Sequence, residues 1–328
     1  MTFITPAGTA RTTANIILIQ GDAGQVYFID CGNPRDPSNE LLWALCKKKG
    51  IDRTSPVFLL ITHSHLDHTA NIPSFRRHFS QFRCIVPAND AEYVQYPRRT
   101  SPYGDRIKEL ANTPKAMIFS SKIMLQVVSP LVFSQRAFVN PVHFTIPEDV
   151  SRISLAGRIF TPISTPGHSP GHIAYLDETK YLFLGDCVPG TPWLDPAPGS
   201  LEQMMNSIQK LLHLPAKKVE YSVRSHCNVR DNAKIIYPWE DERARFETFY
   251  DRIVQTLDRI PLLLRGITMT TLELGYRLFN LSSYLTFFTR LWAPAGLSWV
   301  IGYLDYLERR GEVQQVSLGS GKRIAWTS

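Results

Sequence analysis

Four side chains able to bind a metal ion fall within six residues, in His63-Ser64-His65-Leu66-Asp67-His68. Imidazole nitrogens and carboxylate oxygens suit zinc, and also iron or manganese. A short loop can aim His63 and His65 at one ion while Asp67 and His68 face another. Three further candidates, His168, Asp186 and His226, each stand just past an apolar, strand-like run, in a turn that contains Gly or Ser. Donors at the ends of several strands are how a scaffold builds a site along one edge. The candidates number seven, five His and two Asp. One zinc ion takes about four donors, so seven point to two divalent ions with a shared bridging group. Such a pair lowers the pKa of a shared water to about 7 and supplies hydroxide for attack on a carbonyl or phosphorus centre. Asp67 is the candidate catalytic group, to orient that hydroxide or relay a proton. No Ser or Cys nucleophile is required.

The elements that must position these residues are legible in outline. Asn15–Ile19 and Gln25–Ile29 read as a hairpin around Gly21-Asp22-Ala23-Gly24, and Asp30-Cys31-Gly32 follows directly. Asn39–Lys49 reads as a helix, with Ser38 as a cap and Gly50 at its end. The apolar run Val57–Thr62 fits a buried strand that feeds into His63, and a helix is expected after the cluster, through Phe79. Strand-like patterning returns at Ile153–Ile163, ahead of Thr165-Pro166-Gly167-His168-Ser169-Pro170-Gly171-His172. Tyr181–Leu184 reads as a strand ending at Gly185-Asp186-Cys187, and one near Val219–Val223 ends at Ser225-His226-Cys227. A helix is expected over Leu201–Leu212. Beyond it, Glu240–Ile260, Met269–Phe279 and Ser298–Arg310 read as helices, and Glu312–Trp326 as a hairpin around Gly319-Ser320-Gly321. Helices followed by a terminal hairpin suggest a small winged-helix-like domain. The expected division is residues 1–239, a catalytic domain, and residues 240–328, the winged-helix-like domain.

Of 328 residues, 44% are hydrophobic and 20% charged, which excludes a disordered chain. Leu291–Leu304, the most apolar charge-free stretch near the C-terminus, has 14 residues and contains Pro294 and Gly296, short of the ~20 needed to span a bilayer. No secretion signal is visible, and five irregularly spaced Cys make no disulfide framework, so a cytoplasmic protein with reduced thiols is expected. The net charge is +7, of which residues 240–328 carry only +1. Residues 93–140 hold seven basic residues (Arg98, Arg99, Arg106, Lys108, Lys115, Lys122 and Arg136) against two acidic ones, and read as an insertion. A solvated basic surface is the simple account of that segment; a positive rim that attracts an anionic substrate is the functional one.

Ile29-Asp30-Cys31-Gly32, the Thr62–His68 cluster, Thr165-Pro166-Gly167-His168, Leu184-Gly185-Asp186-Cys187 and Ser225-His226 follow one another in order. On these pieces, which cover residues 16–227, the sequence resembles the metallo-β-lactamase-fold hydrolase superfamily. The resemblance implies an α/β protein, a four-layer αββα sandwich with its metals at one edge. It implies that His63, His65 and His168 hold one ion, that Asp67, His68 and His226 hold the other, and that Asp186 bridges them. Asp30 matches a position that orients ligands without touching metal. The Gly167–His172 loop and the C-terminal helical extension look like those of the glyoxalase-II-like branch and its winged-helix relatives. True β-lactamases usually lack that extension, which argues against antibiotic hydrolysis. His172 itself is expected to pack or hydrogen-bond beside the loop, in support of the site. Cys31, Cys187 and Cys227 each directly follow a candidate residue and are expected to be small buried side chains, since the ligand count is already full.

The leading expectation is a dinuclear, zinc-dependent hydrolase of a thioester or related activated ester, acting on a small anionic substrate. A ribonuclease or phosphodiesterase is the first alternative; it requires a basic groove continuous from the insertion to the metals. A lactonase, with a neutral apolar pocket, is the second. A regulatory module that has lost catalysis is disfavoured by the intact ligand set. Nucleic acid is not the favoured partner, because the C-terminal region lacks a basic excess. Its aromatic residues (Tyr284, Phe287, Phe288, Trp292 and Trp299) suit packing, a homodimer contact or a substrate pocket.

Overall fold

The computed structural model describes residues 2–5, 14–34, 38–97, 139–191, 193–226, 234–279, 287–318 and 323–328. The seven basic residues expected in the insertion all lie outside this set. One sheet contains, in spatial order, β1 (Thr2–Thr5), β2 (Ile16–Gln20), β3 (Val26–Ile29), β4 (Pro56–Leu60), β5 (Gln81–Pro87) and β6 (Phe144–Ile146). Its first three strands are antiparallel and β3 to β6 are parallel. The second sheet runs β7 (Ile153–Leu155), β8 (Arg158–Ser164), β9 (Ile173–Asp177), β10 (Tyr181–Phe183), β11 (Tyr221–Val223) and β12 (Ile236–Pro238), with only β10 and β11 parallel.

The two-residue period of β2 explains the layering. Ile17 and Ile19 point between the sheets, where they join Tyr27, Leu60, Phe160 and Phe183. Ile16 and Leu18 point the other way, onto α1 (Ser38–Lys48) and α3 (Ile72–His78), against Leu42, Cys46 and Phe75. The outer face of the second sheet is covered by α5 (Ser200–Leu212) through Met204, Ile208 and Leu211. The result is the expected helix–sheet–sheet–helix order. Short helices α2 (Leu66–Thr69) and α4 (Ala91–Gln95) lie beside the first sheet's ligand-bearing end.

The C-terminal region continues the outer layer. It comprises α6 (Trp239–Leu264), α7 (Thr271–Phe279), α8 (Phe287–Arg309) and the hairpin β13 (Gln314–Leu318)–β14 (Arg323–Thr327). Trp239, Phe246, Trp299, Leu304 and Trp326 share one apolar cluster with Leu182 and Leu184 of the second sheet. Two helices run further than the sequence pattern indicates. Pro261 suggests a stop at Ile260, yet α6 continues to Leu264, because Ile260 and Leu264 are both fully buried and their packing outweighs one lost backbone bond. Likewise α8 starts at Phe287, 11 residues before Ser298, and passes through Pro294 and Gly296. The single helix expected after the metal cluster is instead two, α2 and α3, separated at Ala70-Asn71. Among the described residues, no helix is long and apolar enough to cross a membrane.

Candidate metal centre

Strand direction brings the candidate donors to one edge. Asp30 follows β3, His63 follows β4, Asp186 follows β10 and His226 follows β11. The edges of the two sheets are stitched there by backbone bonds from Ile173 N–H to the Thr62 carbonyl (2.9 Å) and from Asn15 N–H to the Ser225 carbonyl (2.6 Å).

All seven candidate ligands converge, in two groups. Donor atoms of His63, His65, His168 and Asp186 lie within 4.8 Å of one another, as do those of Asp67, His68 and His226. In the first group His168 Nε2 is 3.2 Å from His63 Nε2, 2.9 Å from His65 Nδ1 and 3.3 Å from Asp186 Oδ2. In the second group His226 Nε2 is 3.2 Å from Asp67 Oδ2, which stands 3.6 Å from His68 Nε2. Asp186 reaches this group too, its Oδ1 being 3.4 Å from His68 Nε2 and 3.3 Å from His226 Nε2. Donors about 2.0–2.1 Å from a tetrahedral zinc ion are about 3.4 Å apart. The residues fit such an ion in each group.

Their outer hydrogen bonds explain why the nitrogens face inward. The Asp30 carboxylate accepts from the Thr62 N–H (2.8 Å) and hydroxyl (2.9 Å), leaving the Thr62 oxygen to accept from His63 Nδ1 (3.0 Å). His68 Nδ1 donates to Asp30 at 2.7 Å. His168 Nδ1 donates to the Trp193 carbonyl at 3.0 Å. The Nε2 lone pairs of His63 and His168 therefore face each other, an arrangement that calls for a cation between them. His68 Nε2 and Asp186 Oδ1 are buried with no hydrogen-bond partner, although 3.4 Å apart, which again leaves donor capacity aimed into the centre. Asp30 sits at φ +56°, a left-handed conformation unusual for Asp.

His172 lies outside both groups. Its Nε2 accepts from the Asp186 N–H (3.0 Å) and its Nδ1 donates to the Thr165 hydroxyl (2.8 Å), so it supports the Asp186 backbone. A Cβ on Gly185, at φ +56°, would come within 2.5 Å of His172 Nε2, so this close approach requires glycine. The buried Cys31 Sγ contacts the His68 carbonyl at 3.0 Å, and burial pushes the buried Cys187 thiol up to about 12. Both are protonated packing groups at neutral pH, as the ligand count suggested; Cys227 is outside the described residues.

Electrostatics separates the two groups. Burial holds His63 well below the ordinary imidazole range, reinforced by its imidazole neighbours, and pushes His65 down to about 3. Burial also lowers His168, against the pull of Asp186, and lowers His172 strongly. Burial opposes charge on His68 as well, but Asp30, Asp67 and Asp186 outweigh it and hold this ring well above the usual range. At His226, burial is again outweighed, here by Asp186 and Asp67, and the ring is pushed up to about 10. Conversely, burial alone would raise Asp67 and Asp186, yet the charges on His68 and His226 keep both carboxyls low.

One supporting residue escaped the sequence reading. Asp90 is fully buried just after β5, and its carboxylate accepts from Ser64 N–H, Ser169 Oγ and Gly171 N–H, each at 2.8 Å. It thereby ties the His63–His65 loop to the His168 loop. Its signal was an acidic residue four positions past the short apolar run Cys84–Val86, a weaker form of the signal that marks Asp30 and Asp186. Alanine at Asp90 strands three donors. It is expected to cost about 3 kcal/mol and to weaken zinc binding about 10–100-fold. Denaturant midpoints and zinc competition titrations check both effects.

The sandwich with paired donor groups at one edge defines a metal-dependent hydrolase fold. The chain belongs to the metallo-beta-lactamase superfamily, whose family model matches residues 10–226. Hydroxyacylglutathione hydrolase of Nitrosomonas eutropha is 26% identical over 234 residues, 70% of each chain. The enzyme of that name from Yersinia pestis is 28% identical over 160 residues, 49% of this chain but only 44% of its own length. A metallo-beta-lactamase family protein from Thermus thermophilus gives a TM-score of 0.68 at 19% identity, covering 99% of this chain and 97% of that one. A beta-lactamase domain protein from Burkholderia ambifaria gives 0.71 at 17%, covering 99% and 90%. At such identities these two structures speak for the fold.

Proposed function

We propose that this chain is a dinuclear metal hydrolase of thioesters or related activated esters. His63, His65 and His168 hold one ion, Asp67, His68 and His226 the other, and Asp186 bridges them. Zinc is the favoured metal, with iron or manganese compatible with the same donors. The observation that carries this reading is the spacing of the donors: Asp186 lies within 3.3–3.4 Å of imidazole nitrogens from both groups. Similarity to hydroxyacylglutathione hydrolases supports the thioester class.

When bound, two divalent cations supply a Lewis acid and a water that ionises near neutral pH. The chain's own groups do the rest. Asp30 and Thr62 fix the rings of His68 and His63 with their Nε2 atoms turned inward. Asp67 and His226, whose side chains are 22% and 31% exposed, form the solvent-facing side of the centre. Substrate enters there, and Asp67 is placed to orient the attacking water and pass its proton outward. Water and a thioester give a carboxylic acid and a thiol.

Residues 1–239 form the catalytic domain in this reading and residues 240–328 a winged-helix-like domain with a structural role. Burial of Trp299, whose Nε1 donates to the Thr191 carbonyl (3.2 Å), supports packing rather than nucleic-acid binding. The substrate in this reading is a small anion, in keeping with the basic excess in the sequence of residues 93–140, and the chain acts in a reducing, cytoplasmic setting.

The test is initial hydrolysis rates on an acyl-coenzyme A thioester, an S-acylglutathione, a lactone and a labelled single-stranded RNA. Thioester cleavage that disappears in Asp186→Ala is the expected result. Cleavage of RNA alone makes the protein a nuclease, and cleavage of the lactone alone a lactonase.

A further inference from the structure

We propose that Glu242, on the first turn of α6, is a positioning residue for the second metal ion, acting through Arg224 on His226. The inference rests on the two-ion reading above. Arg224 follows β11 directly and stands two residues before His226. Its guanidinium makes a forked pair with Glu242, Nε to Oε1 at 2.9 Å and Nη2 to Oε2 at 2.6 Å. The Arg224 side chain is 8% exposed and that of Glu242 not at all. The guanidinium also lies 4.6 Å from the ring centre of Tyr237, in β12. The backbone around it is fixed from other sides. Arg224 N–H donates to the Ile235 carbonyl (3.0 Å), and the Arg224 carbonyl accepts from Asn15 Nδ2 (3.3 Å).

A buried ion pair is a weak stability device, because packed apolar side chains serve as well. Two parallel charge-assisted bonds contribute direction instead, since they fix the plane of the guanidinium and the backbone that carries it. His226 needs such a fixture. The outer nitrogens of His63, His68 and His168 are each held by Thr62, Asp30 or the Trp193 carbonyl. Among the described residues, the support that His226 receives comes through its backbone. That backbone is anchored to α6 by Arg224 and Glu242. The C-terminal helices are thus part of the support of the metal centre, and of one half of it selectively, because the pair fastens the end of β11, the strand that leads into His226.

The test uses the full chain, stripped of metal and titrated with zinc against a chelator, as wild type and Glu242→Gln. The expected result is an unchanged first equivalent and a second bound about 10–100-fold more weakly. Anomalous scattering from zinc-loaded crystals should show the ion retained at His63, His65 and His168 and depleted at Asp67, His68 and His226. A variant that binds both equivalents as wild type does, or weakens both alike, overturns the inference. Arg224→Met/Glu242→Leu replaces the pair with apolar side chains, a change that buried pairs often tolerate. It keeps the test open should Glu242→Gln fail to fold, and two ions bound there at wild-type affinity also overturn the inference. A wild-type chain that takes up fewer than two equivalents refutes the two-ion centre itself, and this inference with it.

Discussion

Alanine at Asp186 is expected to lower kcat/KM for hydrolysis by about 10³-fold or more, roughly 4 kcal/mol of transition-state stabilisation. Its carboxylate reaches both groups: Oδ2 faces His168 and Oδ1 faces His68 and His226. The charges on His226 and His68 keep its carboxyl well below the usual range in spite of burial, so it is anionic at neutral pH. Removing it would leave two sets of donors with no protein carboxylate shared between them to offset the repulsion of two bound cations. The first set keeps three imidazoles, enough to hold one ion; the second keeps Asp67, His68 and His226 but gains the full repulsion of its neighbour. Zinc stoichiometry should therefore fall towards one per chain along with the rate. Asp186→Asn keeps the shape and one oxygen, so its loss should be smaller than that of alanine. Initial rates and metal content measured on the same preparations decide the matter. A fully zinc-loaded Asp186→Ala protein within tenfold of wild-type activity would remove the bridge from the mechanism.

The same residue shows why the centre is so legible in the sequence. Side chains able to bind metal are few in kind, and here the candidates stand just past apolar runs that become β4, β8, β10 or β11, so residue type and position speak together. The layers follow from the alternation of Ile16 to Ile19. What escapes is decided by contacts between distant segments. Asp90 carries one of the strand-end signals, but its task depends on Ser169 and Gly171, about 80 positions along the chain, meeting Ser64. The β7–β8 hairpin is hidden because its turn places Ala156 at φ +47° beside Gly157 at φ +94°, and alanine is not the residue a left-handed turn advertises. The end of α6 is set by burial of Ile260 and Leu264, which outweighs Pro261 as a stop signal, and α8 likewise runs on through Pro294. Glu242 and Arg224 look like two surface charges in the sequence, and only the docking of α6 on β11 makes them a buried pair.

The two metal ions should respond very differently to pH, the second losing affinity by as much as about 100-fold per pH unit of acidification near neutrality while the first changes little. The sign follows from which nitrogens carry protons before metal arrives. Burial keeps His63, His65 and His168 below the ordinary imidazole range, His65 down to about 3, so these rings are already neutral at pH 7 and release no proton on binding. His68 and His226 are the reverse case. Their folded-state pKa values are raised by Asp30, Asp67 and Asp186, to about 10 for His226, so near neutral pH both rings are protonated in the metal-free chain. A cation entering this group must displace the Nε2 proton of each, while His68 keeps the Nδ1 proton that it gives to Asp30 at 2.7 Å. Two protons released per ion bound means that affinity falls as pH falls, with a slope of two. Above about pH 10 the His226 proton is already gone and the slope flattens. Zinc titrations at several pH values, each run in two buffers of different ionisation enthalpy, count the protons directly. About two from the imidazoles, and up to one more from a water that would ionise between the ions, should accompany the second equivalent and about none the first; equal release by both, or release with the first alone, would show that the carboxylates do not hold His68 and His226 charged.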